Sequence, residues 1–160
     1  PRRSATPEVG RAVERLEPLA VGAGRNRDAP GDDQPEPGLA GRGVVVVSDY
    51  PASQAALARI RPGEPPVAER FELYMSGVEL ANGFHELTDA DEQAARFEAD
   101  NCRRREMGQP ERALDKQLLT AMAAGLPQCS GVALGFDRLL MLAEGAGSIG
   151  EVLAFDWSRA

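Results

Sequence analysis

Phe71-Glu72-Leu73-Tyr74-Met75-Ser76-Gly77-Val78-Glu79-Leu80-Ala81 is the stretch that decides the fold. Strand-like runs at 71–75 and 78–81 flank Ser76-Gly77, a loop length that suits a tight hairpin turn. The spacing predicts a β-hairpin in which Met75 faces Val78, Tyr74 faces Glu79 and Glu72 faces Ala81. Glu72 and Glu79 then lie diagonally on one sheet face, close enough to meet. Carboxylates that close repel unless a cation or proton sits between them, so one reading is a bridging divalent metal, with Mg²⁺ favoured by oxygen-only ligands. The other reading is a solvated strand face.

Downstream, Asn82-Gly83-Phe84-His85-Glu86-Leu87 places an amide, a ring and a carboxylate at alternate positions 82, 84 and 86. A carboxylate beside a ring suits a ligand ammonium. Strict alternation puts this trio opposite Glu79; a β-bulge between Glu79 and Asn82, with Gly83 making room, would bring all four to one side. Alternatively Asn82-Gly83 simply ends a strand and Glu86 is surface. His85 is the sole histidine, and without a second His or a Ser or Cys partner it reads as structural or exposed. Asp89 or Thr88 opens a helix with Asp91 and Glu92 in its first turn and Arg103-Arg104-Arg105 in its last, stopped by Gly108 and Pro110. A second helix is predicted over 111–124, a strand over 130–134, a helix over 137–143 and a short one over 148–153. Gly131-Val132-Ala133-Leu134-Gly135-Phe136-Asp137-Arg138 is a small-residue strand feeding a helix with Arg at its start, a corner that suits a nucleotide phosphate or ordinary packing equally well. GxGxxG fits poorly and GxxxxGK[ST] is absent, so neither a dinucleotide site nor a P-loop is indicated.

Upstream, Val44-Val45-Val46-Val47 reads as a buried strand ended by Asp49-Tyr50-Pro51, followed by a loop to Pro66 with a helical turn at 54–59. Residues 1–42 form a Pro-, Gly- and Arg-rich head expected to be irregular or partly disordered, with one short helix over 7–19. The order is that of an α+β fold, an antiparallel β-sheet with flanking helices.

With 160 residues and 18 Lys+Arg against 25 Asp+Glu, the net charge of −7 disfavours broad nucleic-acid binding. No apolar run approaches a membrane span and no signal-peptide pattern opens the chain, which reads as cytoplasmic. Cys102 and Cys129 lack CxxC spacing and read as semi-buried thiols.

Glu69-Arg70-Phe71-Glu72-Leu73-Tyr74, Gly77 through Leu87, Gln93 through Phe97 and Gly131 through Arg138 resemble the substrate strand and motif 3 of class II aminoacyl-tRNA synthetases of the lysyl type. Pro51-Ala52-Ser53-Gln54-Ala55, Pro127 through Gly135 and Glu151-Val152-Leu153-Ala154-Phe155 are similar to the branch that ligates lysine or (R)-β-lysine to elongation factor P. The resemblance covers about 36–160 and makes 43–160 the C-terminal portion of a synthetase-like catalytic domain. It implies that Glu72 and Glu79 hold Mg²⁺, that Glu79, Leu80, Gly135 and Arg138 bind ATP, with Arg138 the catalytic clamp on the γ-phosphate, and that Asn82, Phe84, Glu86 and Ala133 form the lysine pocket. Ala133, where lysyl-tRNA synthetases usually keep Gly, implies a pocket reshaped toward β-lysine. Adenylation of the amino acid and transfer to elongation factor P follow; tRNA-Lys is the alternative acceptor, and a non-catalytic nucleotide-binding remnant is the alternative of another class. The family's homodimer is built on motif 1, and its motif 2 carries an Arg. Neither is found in residues 1–35, and Pro1 is not an initiator Met, so the chain reads as a truncated ligase whose hairpin would have an open edge.

Overall fold

The structure, a computed structural model, describes the backbone of residues 14–16 and residues 38–156 in full. Its strands are β1 (Glu14–Leu16), β2 (Val44–Pro51), β3 (Ile60–Arg61), β4 (Val67–Met75), β5 (Val78–His85) and β6 (Ser130–Leu134); its α-helices are α1 (Ala90–Glu106), α2 (Lys116–Ala123) and α3 (Phe136–Glu144). The sheet runs β1-β2-β4-β5-β6, with β3 paired antiparallel to β4. This is the α+β arrangement expected. The hairpin forms as predicted: Ser76 and Gly77 take φ of 53° and 86°, the two positive values that a tight turn matching the strand twist demands. Its strands run further than the apolar pattern alone suggested, and β2 and β6 flank it, so that among the described residues the sheet ends on β1 and β6 and not on the hairpin.

Several expectations need correction. Most of the helix expected over 7–19 lies outside the described residues, but within it Glu14–Leu16 is a strand parallel to β2, with Glu14 opposite Val45 and Leu16 opposite Val47. Pairing with a valine-rich partner overrides a weak helical spacing there. β2 continues to Pro51 instead of stopping at Asp49, which bends the strand at φ 60°. Ala52–Gln54 forms a 3-10 turn, and the stretch expected to be loop to Pro66 includes β3. The helix expected over 111–124 begins only at Lys116, because Asp115 caps it by accepting from the Gln117 and Leu118 amides at 3.0 and 2.9 Å. Ahead of it, Asn101 of α1 bonds both the amide and the carbonyl of Arg112, at 2.9 and 2.8 Å. Those main-chain groups are thus committed elsewhere. The helix expected over 148–153 tightens to a single 3-10 turn, Ile149–Glu151.

The chain divides into two compact units. The first comprises Pro1–Asp49, Phe71–Asn82 and Val132–Ala160; the second, Tyr50–Arg70 and Gly83–Gly131. In the first, buried Val78, Leu80 and Met141 pack with Leu73, Met75, Leu142, Ala146, Ile149 and Val152, so α3 covers the 73/75/78/80 face of the hairpin. Strand alternation therefore turns Glu72, Tyr74 and Glu79 to the opposite face. In the second unit, α1 is held by its ends and by one arginine. Asp89 caps it by accepting from the Asp91 and Glu92 amides, both at 2.9 Å, and Arg103, Arg104 and Arg105 occupy its last turn. Arg96 Nη1 donates to the carbonyls of Ala56 and Ala58 at 2.9 and 2.8 Å, fixing the helix to the turn before β3. Replacing Asp89 with Ala is expected to lower stability by about 1 kcal/mol, the usual worth of such a cap, as read by chemical denaturation.

Candidate active site

In the first unit, Glu72 is 3% exposed and accepts from the Tyr74 hydroxyl at 2.5 Å. A carboxylate this deep is tolerated only when bonded or paired, and Tyr74, two residues along on the same face, supplies one such bond. Glu79 is half-buried on that face, and its carbonyl accepts from Arg138 Nη1 at 3.1 Å. Arg138 sits in the first turn of α3, three residues past Gly135, whose amide donates to the Leu80 carbonyl at 2.8 Å. These two bonds carry the start of α3 onto the β5 main chain beside Glu79, and they place a guanidinium and a helix N-terminus at one corner. A methyl group on Gly135 would touch the Arg138 stem at 3.5 Å, ordinary contact, so Arg138 does not by itself demand glycine there. The Leu80 side chain is buried under α3 and presents only main chain to this corner.

The donor chemistry fits a cation shared with phosphates. Among the described residues no three His, Cys, Asp or Glu side chains gather around a common point. Glu72 and Glu79, on one face of the hairpin, are oxygen donors of the type that suits Mg²⁺ where substrate phosphates and water fill the remaining positions.

Along β5 the alternation of burial slips by one residue at Leu80-Ala81, both buried. Glu79, Asn82 and Phe84 therefore share the less buried positions. A slip of this kind is one that a bulge can produce. Asn82 and Ala133 belong to the first unit; Phe84 and Glu86 belong to the second. Glu86 is half-buried, its amide donates to the Cys129 carbonyl at 3.0 Å, and Ala58 bridges it from the other side. No hydrogen bond or ion pair engages its carboxylate among the described residues.

Beside Glu86 lies a network that sequence reading missed. The Gln128 carbonyl oxygen takes Arg59 Nη1 at 3.0 Å and His85 Nε2 at 2.8 Å, while its amide donates to Thr88 Oγ1 at 3.0 Å. His85 therefore has a structural partner. No local pattern could announce a hub whose partners lie 40 to 69 residues away. Glu69 holds the other end, bonded by Arg59 Nε at 2.5 Å, with Arg61 at 3.9 Å and His85 at 4.0 Å. The Arg59 bond above all, then the nearby positive charges, hold the Glu69 carboxyl below its usual value of 4.5. A lowered folded value means that the pair stabilises the fold fully above pH 4.5 and that this contribution is lost as pH falls through the lowered value. Glu69→Gln is therefore expected to cost a modest amount of stability at pH 7 and to make stability less pH-dependent on the acid side, measured as urea midpoints across that range.

Residues 40–159 match the class II tRNA synthetases (D, K and N), and the chain belongs to that family. An elongation factor P–(R)-β-lysine ligase from Pasteurella multocida is 58% identical over 125 residues, covering 78% of this chain and 39% of that protein. A protein of the same name from Vibrio cholerae is 59% identical over 116 residues, 72% of this chain and 36% of that protein. Another, from Klebsiella pneumoniae, is 57% identical over 125 residues, 78% and 38% respectively. The chain spans about two fifths of the length of the curated relatives it matches.

Proposed function

We propose that residues 43–160 are the C-terminal portion of the catalytic domain of an ATP-dependent ligase. The ligase activates lysine or (R)-β-lysine as an aminoacyl-adenylate and passes it to a lysine of elongation factor P. The observation that carries this reading is 58% identity over 125 residues to a relative of that name. In the reaction, a carboxylate oxygen of the amino acid attacks the α-phosphorus of ATP, the bond to the β-phosphate oxygen breaks and pyrophosphate leaves. The amine of the acceptor lysine then attacks the acyl carbon, forming an amide as AMP departs and the amine proton is lost to solvent.

Arg138 and Gly135 take the phosphates, Arg138 by charge and Gly135 by leaving room, with the Glu79 and Leu80 main chain beside them. Glu72 and Glu79 would hold Mg²⁺, which when bound neutralises phosphate charge. The Glu86 carboxylate meets a substrate ammonium; Asn82, Phe84 and Ala133 are the other positions to which the family resemblance gives a part in binding the amino acid. The catalytic contribution is positioning and charge stabilisation, without a covalent enzyme intermediate. The remaining groups of the adenylate site come from chain outside these residues, as the two-fifths coverage of the relatives suggests. We place the protein in the cytoplasm, in line with the absence, among the described residues, of a helix long and apolar enough to cross a membrane. A homodimer is the assembly that the family resemblance implies.

Acceptor choice tests the reading. Radiolabelled (R)-β-lysine or lysine, given with ATP, is expected to label elongation factor P and leave tRNA-Lys unlabelled. Labelling of tRNA-Lys alone would make the protein a lysyl-tRNA synthetase instead.

A further inference from the structure

We infer that Gly131 is a specificity-determining residue for the amino-acid substrate, because its bare α-carbon sets where the Glu86 carboxylate stands. This rests on the reading of Glu86 as the group that meets the substrate ammonium. A β-carbon built on Gly131 would lie 3.2 Å from Glu86 Oε1, closer than such a carbon normally approaches an oxygen. Glu86 therefore rests its carboxylate over the one position in β6 where no side chain intrudes.

Neither backbone is free to yield. Glu86 is fixed through its amide to the Cys129 carbonyl at 3.0 Å and through its bridge to Ala58. Its neighbours are tied as well: the His85 carbonyl accepts from the Arg59 amide at 2.8 Å and the Leu87 amide donates to the Leu57 carbonyl at 2.9 Å. On the facing segment, Gln128 is fastened to Arg59, His85 and Thr88, three residues before Gly131. A methyl group at 131 must therefore displace the carboxylate, the flexible end of the contact. The fold does not ask for glycine here. Gly131 has no positive φ, lies within a regular strand and is exposed, so Ala would suit the backbone and would restrict the unfolded chain. A residue that the backbone does not require and the carboxylate does is a requirement of the site.

The test is equilibrium binding of L-lysine to the purified protein, followed by NMR titration, with thermal unfolding of each variant alongside. Gly131→Ala is expected to weaken L-lysine binding about tenfold, since a binding group moved by a fraction of an ångström loses much of its effect. Its melting temperature should be unchanged or raised. In a Glu86→Asp background, whose carboxylate is one methylene shorter, adding Gly131→Ala should cost nothing further. Unchanged lysine affinity in Gly131→Ala beside a marked loss in Glu86→Gln overturns the role of Gly131 and leaves the Glu86 reading standing. So does a lowered melting temperature, which would make the glycine a requirement of the fold, or an equal loss in the Glu86→Asp background. Absence of lysine binding by the unmodified protein, or full binding by Glu86→Gln, overturns the reading of Glu86 itself and the inference with it.

Discussion

Arg138→Ala is expected to lower lysine-dependent exchange of pyrophosphate into ATP by about 100- to 1000-fold, the usual cost of removing a preorganised charge from a developing anion. The fold should hardly notice. Arg138 donates to the Glu79 carbonyl at 3.1 Å, a bond worth about 1 kcal/mol. α3 is anchored separately by the Gly135 amide on Leu80 and by Met141 in the core. A large loss of exchange with a melting temperature close to that of the unmodified protein is thus the expected signature. Arg138→Lys keeps the charge but not the planar fork, so it should recover only part of the rate. An Arg138→Ala protein that exchanges normally would remove the phosphate corner from the account.

Glu86→Gln is the second large effect. The amide has nearly the same shape as the carboxylate but carries no charge to meet an ammonium. With the carboxylate half-buried and engaged by no described neighbour, its interaction with substrate is not diluted by an internal partner. The KM for lysine is expected to rise about 10- to 100-fold, or about 1.4 to 2.8 kcal/mol, reaching only the lower part of the range for fully buried charge pairs because the residue is half-buried. The KM for ATP should stay put, because the phosphate corner is built from other residues. A rise in both constants together would indicate a general loss of structure rather than a lost ammonium contact.

How far the sequence carried differs from element to element, and the reason is physical. The hairpin was legible because Ser76-Gly77 and the alternating flanks are local signals, and local backbone geometry obeys them: both turn residues take positive φ. α1 was legible because Asp89, the acidic first turn, the arginines of the last turn and Gly108 all agree, and Gly108 takes φ 68°. β1 and β3 were not, since runs of three and two residues become strands only through their partners. The start of α2 was misplaced because Asn101, from another helix, claims the main chain of Arg112. In β5, the slip in the alternation of burial at Leu80-Ala81 falls where the parity of residue types around Gly83 changes. The Tyr74 bond to Glu72 was within reach of the same parity argument, since both lie on one strand face. The Gln128 hub and the clearance of Gly131 under Glu86 were not, because both depend on which distant backbone arrives beside β5.

Exchange of labelled pyrophosphate into ATP by the purified protein tests the central claim most directly, because only formation of an aminoacyl-adenylate makes the label appear. The account predicts exchange that depends on lysine or (R)-β-lysine and does not occur with aspartate or asparagine, the other amino acids named for the family. Exchange driven by aspartate or asparagine, or none with either form of lysine, would contradict it.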